Sequence, residues 1–290
     1  MKGSRLLSTL LQGEFLIDCH NVGAYYSIID RVLAGGSFNL NPQPKSILSF
    51  VNANGLPLPR NEEGKTMITP GSIAIVNMHG EVIKNGDLCV YGADEIVEAL
   101  TIADKNPNVA ATIFDIDGPG GAVNAIGLFQ DFAANTKTKP IIGFCDSALS
   151  LHYWTAVEVC DQIIAANNVS ARFGSVGVVL SFADNIKAMK KAGYTIHEIY
   201  PEESKDKNKA FALARKGDYT AIKEEFLSPL AKQFQARVRA NRPNLKEEDG
   251  VLTGKTFFAE EALRLGMIDA IGGRQQAVRT AQLMSSMSKN

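Results

Sequence analysis

The sequence predicts an α/β fold, a parallel-rich sheet with helices on its faces, preceded by an N-terminal helical arm. Three observations carry this reading. Strand-like runs and helix-like runs alternate through the middle of the chain, the order that yields parallel strands joined by crossover helices. The strands stop abruptly at glycine turns, as in "FDID" before "GPGG". The chain of 290 residues is 45% hydrophobic and 21% charged, enough for one large domain with extensions.

The elements follow in order. Residues 1–36 form the arm, in which Tyr25, Ile28, Ile29 and Val32 recur at helical spacing and Gly35-Gly36 supplies a stop. Residues 37–71 are rich in Asn, Pro and Gly and read as a loop-like linker that adds little to the core. The main domain, residues 72–273, opens with a strand in "SIAIVNMHGEVI" and a helix in "GADEIVEALTIADK", where Ile96, Val97, Leu100 and Ala103 share a face. A strand in "AATIFDID", a helix in "AVNAIGLFQDFAANT" and a strand in "KPIIGFCD" come next. Then follow a helix in "LHYWTAVEVC", strands in "QIIAA" and "SVGVVLSF", and a helix in "NIKAMKKAG". Residues 274–290 are left as a C-terminal tail.

Composition narrows the function. Thirty basic residues against 31 acidic ones give no footprint for nucleic acid. Cys19, Cys89, Cys145 and Cys160 are scattered, with no metal-ligand spacing, and read as reduced thiols. The leucines of the first residues are interrupted by Gln12, Gly13 and Glu14, so neither a signal peptide nor a membrane span is expected, and a cytoplasmic location is.

Sites in such folds gather where strands end and helices begin, and two segments qualify. "DGPGG" places Gly120-Gly121 between a strand and a helix, where backbone amides can face an oxyanion. The same pair also suits a plain turn, and its spacing matches no phosphate loop. "ALSLHYW" places Ser150 before an apolar run. As a bare pattern such a serine is more often a helix cap than a nucleophile. His152 diverges from it on a helix, and His20, His79 and His197 lie in other segments, so a catalytic Ser150 would need a base other than histidine.

Five segments then carry a resemblance: "SIAIVNMHGEVI", "FDIDGPGGAV", "DSALSLHYWTA", "DQIIAANNVSARFGSVGVV" and "LTGKTFFAEEALRLGMIDAIGG". In order and spacing, from Ser72 to Gly273, the chain resembles the signal peptide peptidase A family of serine peptidases, relatives of the Clp protease and crotonase folds. The resemblance implies a Ser-Lys dyad: Ser150 as nucleophile and Lys205 of "PEESKDKNKAF" as base, with Lys207 as the alternative base. It implies amides of Gly120, Gly121 and Leu151 as oxyanion donors, and Ser175 as the residue that orients the lysine. A lysine acts as a base only as a neutral amine, which requires its burial by packing or by a neighbouring subunit. Taken alone, this charged run reads as a solvated loop.

The family's two glycines after the nucleophile are replaced here by Leu151 and His152. Bulk at these positions is expected to narrow the cleft and favour small side chains on the acyl side of the cleaved bond. The arm resembles the phage branch of the family, the minor capsid or prohead proteases that process scaffold or capsid proteins. The resemblance thus implies a protein or peptide substrate, a homo-oligomer, no membrane contact and no metal or organic cofactor. Three alternatives stand: a cytoplasmic peptide-degrading relative, a crotonase-type acyl-CoA enzyme, and a non-catalytic capsid or scaffold component.

Overall fold

A computed structural model describes residues 14–17, as backbone, and residues 46–86, 91–182, 184 and 186–287. The central sheet has eight strands and is parallel in its interior. Its spine is β3 (Ser72–His79), β4 (Val109–Gly118) and β6 (Ile141–Leu149), neighbours in that order and all parallel. These runs are apolar at nearly every position because both faces are covered.

Beyond β6 the sheet divides. The first half of β6 pairs with β7 (Gln162–Ala165) and its last residues pair with β8 (Arg172–Gly174), both parallel. β11 (Ala270–Ile271) extends the β7 branch, and β10 (Thr256–Phe258) closes the β8 branch in antiparallel register. The end of β6 is thereby freed from β7 and delivered to a separate edge, where Leu149 lies opposite Gly174.

One face is covered by α1 (Ala93–Lys105), α2 (Ile126–Asn135), α3 (Leu151–Val159) and α6 (Ser228–Asn241). Val76 and Met78 of β3, Phe114 and Ile116 of β4, and Phe129, Trp154 and Phe234 of the helices pack there. Strand alternation sends Ile73, Ile75, Ile113 and Ile142 to the opposite face. There they meet Ala277, Val278 and Ala281 of α8 (Arg274–Met287). The expected C-terminal tail is therefore a helix that covers half the sheet, with a contact face made mostly of small residues.

Two further segments differ from expectation. Within the loop-like stretch 37–71, β2 (Leu48–Val51) pairs antiparallel with β3 and buries Val51. Within the arm, β1 (Glu14–Ile17) is a strand. It lies between β5 (Gly120–Ala122) and β9 (Val179–Leu180) in a separate three-stranded sheet. The helix expected over Tyr25–Val32, together with Cys19 and Cys89, falls outside the described residues. Cys145 and Cys160 are free thiols. No helix among the described residues is long and apolar enough to cross a membrane.

Candidate active site

β6 ends at Leu149 and α3 begins at Leu151, so Ser150 makes the whole turn between strand and helix. It does so at φ 55° and ψ −117°, a backbone region that costs a side-chain-bearing residue about 1–3 kcal/mol. Its N–H donates to the Gly174 carbonyl (2.8 Å), and its own carbonyl accepts from Trp154 N–H (2.9 Å). Ser150 thus occupies the cap position of α3, but an ordinary cap has extended φ and ψ and spends its side-chain oxygen on a helix amide. Ser150 has neither feature: its φ is positive and its hydroxyl makes no capping hydrogen bond. The strain holds the hydroxyl at the start of the helix without using it there.

A second strained serine stands alongside. Ser175 has φ 54°, directly after Gly174 at φ 114°, and its N–H donates to the Lys255 carbonyl (2.9 Å). A Cβ on Gly174 would lie 2.6 Å from that carbonyl oxygen, so only glycine fits between the two serines.

The glycine pair is brought to the same place. Val82 N–H donates to the Gly120 carbonyl (3.2 Å), and Ala122 N–H donates to the Val82 carbonyl (2.8 Å). Successive strand residues point their backbone groups to opposite edges, so the N–H and C=O of Gly121 point away from Val82. A Cβ on Gly121 would meet the Val82 carbonyl oxygen at 2.0 Å and Leu151 Cδ2 at 2.9 Å. Gly121 is therefore pressed against the first residue of α3. The Leu151 N–H belongs to the first turn of that helix, outside the intrahelical ladder. Gly121 thus packs on the Leu151 side chain, and the Leu151 N–H follows the strained serine directly in the chain.

The aromatic pair of the motif anchors α3. Tyr153 Oη donates to the Met267 carbonyl (2.9 Å). Trp154 stacks on Phe234 with ring centroids 4.5 Å apart, and its Nε1–H donates to Glu158 (2.9 Å). Glu158 is buried and takes a two-pronged ion pair from Arg237 (2.7 and 2.6 Å) and a hydrogen bond from Gln130. Burial alone would raise the Glu158 pKa, but Arg237, Gln130 and Trp154 outweigh it and hold the carboxyl below its usual range. Sequence reasoning missed this anchor, although Trp154 and Glu158 stand at i, i+4 on α3.

Leu151 and His152 do not line an open approach. Both side chains are fully buried, Leu151 in the main core against Gly121 and His152 against Gly118. The basis for expecting a narrowed cleft and a preference for small residues is thus removed. A Cβ on Gly118 would lie 2.3 Å from His152 Nε2. Neither ring nitrogen has a hydrogen-bond partner of good geometry among the described residues. Burial first, and His79 second, push the His152 pKa down to about 3, against the pull of the Gly80 carbonyl.

The lysines stand apart from this cluster. Lys205 and Lys207 are exposed, Lys205 at the end of a short 3₁₀ turn over Glu202–Ser204. Among the described residues no hydrogen bond joins either lysine to Ser150 or Ser175; in the same loop, Asp206 pairs with Lys209 (3.0 Å). The structure thus assembles Ser150, Leu151, Gly120, Gly121 and Ser175, but not the amine.

A serine forced into a strained strand-to-helix turn, as Ser150 is, is the layout that serine hydrolases use to present a nucleophile. The sequence comparisons agree with that class. The model of peptidase family S49 matches residues 133–288, a span that contains Ser150, Ser175 and Lys205, and the chain belongs to this family. It is 25% identical over 217 residues to Protease 4 of Haemophilus influenzae, covering 73% of this chain and 35% of that protein. It is 24% identical over 192 residues to the head-tail preconnector protein GP5 of Enterobacteria phage P21, covering 66% of this chain and 33% of that protein. The chain thus spans about a third of the length of each of these two relatives. Among solved structures, a membrane-bound stomatin-specific protease in complex with a substrate peptide aligns at a TM-score of 0.47 and 16% identity, over 71% of this chain and 78% of that one.

Proposed function

We propose that this chain is a serine endopeptidase with Ser150 as nucleophile and Lys205 as base. The observation that carries the reading is the strained Ser150, whose hydroxyl makes no capping bond, with the Leu151 amide next in the chain and Gly121 packed against the Leu151 side chain. In the proposed reaction the Ser150 Oγ bonds to the scissile carbonyl carbon while its proton passes to a neutral Lys205 amine. The carbonyl oxygen becomes an oxyanion held by the two amides. Collapse breaks the C–N bond, the leaving amine takes the proton from Lys205, and water then hydrolyses the acyl-enzyme.

Lys205 is exposed in the single chain, so the reading requires a second copy to bury it. Support comes from the segment that precedes it, where Ile199 is 90% and Tyr194 62% exposed, exposed apolar side chains of the kind that subunits cover. In such an assembly Ser175 would orient the amine, and Lys207 is the alternative base two residues on. The resemblance to a phage head-tail preconnector protein supports scaffold or capsid proteins as the substrate. The experiment is hydrolysis of a fluorogenic peptide library by the purified chain. Ser150→Ala should abolish turnover and leave the melting transition in place. Full turnover by Ser150→Ala, or acyl-CoA turnover by the parent, would sink the reading.

A further inference from the structure

The arm strand β1 lies across the site described above. It runs antiparallel to β5, with Phe15 opposite Ala122, Leu16 opposite Gly121 and Ile17 opposite Gly120. On its other edge it runs antiparallel to β9, with Glu14 opposite Leu180 and Phe15 opposite Val179. The N–H and C=O of Gly121 point away from Val82, and therefore toward Leu16. By the same alternation the backbone groups of Phe15 face Val179. The arm thus engages the very amide that an oxyanion or an incoming polypeptide would need.

Ser150 is only 1% exposed, and all three residues of β5 are buried. A nucleophile that acts on other polypeptides cannot work while covered to this extent. Without β1, β5 and β9 would present two facing strand edges, each with unpaired backbone groups, and an extended chain fits between them by adding a strand.

We propose that residues 14–17 of this chain are an autoinhibitory occupant of the groove between β5 and β9, seated there as an antiparallel strand. The inference rests on the peptidase reading of Ser150 and adds to it a competitor built into the chain. Any other polypeptide must displace the arm before it reaches Gly121 and Ser150. The groove recognises backbone first, so the occupant's register is set by strand pairing.

The test uses the full chain. Phe15→Pro combined with Leu16→Pro removes one backbone donor from each edge of β1. Losing two hydrogen bonds should free the groove roughly tenfold more often. Labelling of Ser150 by a fluorophosphonate should accelerate by that factor, and a synthetic peptide of residues 13–18, Gly-Glu-Phe-Leu-Ile-Asp, should slow the variant again. Equal labelling rates in parent and variant, with no effect of the peptide, overturn the proposal. A second measurement avoids any folding defect of the variant. In the parent, a tetrapeptide boronate that forms an adduct with Ser150 should strip hydrogen-exchange protection from the amides of residues 15 and 16; unchanged protection with the adduct formed overturns it. Failure of Ser150 to label in either protein is instead the failure of the peptidase reading, and the inference falls with it.

Discussion

His152 offers a quantitative test of the packing around Ser150. Its ring is fully buried and uncharged, with a pKa pushed down to about 3, whereas an unfolded chain binds a proton near pH 6.5. The sign follows from linkage. A group whose folded pKa is depressed contributes its full stability above its unfolded pKa, and that contribution is lost as pH falls toward the folded one. Between pH 6.5 and about 3 the unfolded state binds the proton and the folded state does not, so each pH unit costs about 1.4 kcal/mol. Between pH 7.5 and pH 4.5 the loss from this residue is about 3 kcal/mol. His152→Leu keeps the volume, removes the titration and removes two ring nitrogens that have no hydrogen bond of good geometry among the described residues. Urea unfolding of parent and variant at pH 7.5, 6.5, 5.5 and 4.5 should show curves that coincide in slope above pH 6.5 and separate below it, with the parent falling faster. Parallel pH dependence down to pH 4.5 would mean that the ring is protonated or hydrated in the folded state, and the packing described against Gly118 would be wrong.

Other perturbations address the rest of the site. Arg237→Met strands the buried Glu158 carboxylate and should destabilise the fold by about 3 kcal/mol in urea melts, while Glu158→Gln with Arg237 intact should cost clearly less. Gly121→Ala forces a Cβ to 2.0 Å from the Val82 carbonyl oxygen and should lower both stability, by about 1–3 kcal/mol, and peptide hydrolysis; unchanged kinetics would remove Gly121 from the oxyanion role. Lys205→Arg should be as inactive as Lys205→Ala, because a guanidinium does not give up its proton, while Lys207→Ala should remain active. The reverse pattern would move the base two residues along.

The alternating part of the fold was legible because its strands are apolar runs ending at glycine, and its helices carry a clear stripe, as in Ile96, Leu100 and Ala103. α8 was not, since its buried face is Ala277, Val278 and Ala281, too small and too interrupted by polar residues to stand out. β2 hid in a Pro- and Asn-rich stretch because four residues suffice for an edge strand that borrows its pairing from β3. At the site, the family resemblance pointed to Ser150 and the glycine pair, whereas the bare pattern favoured a helix cap and a plain turn. The positive φ that sets Ser150 apart from an ordinary cap leaves no trace in one residue's identity. The inward turn of Leu151 and His152 was equally hidden, because it depends on room left by Gly118 of β4 and Gly121 of β5. β1 escaped notice because its partners, β5 and β9, lie more than a hundred residues away.

Whether Ser150 is a nucleophile held in strain or a helix cap is decided by locating a covalent adduct. The purified full chain should be treated with a fluorophosphonate, digested and mapped by tandem mass spectrometry. One adduct is expected, on Ser150, and none in Ser150→Ala at the same protein concentration. An adduct on Ser175 or any other serine, or peptide hydrolysis by a chain in which Ser150 never labels, would contradict it.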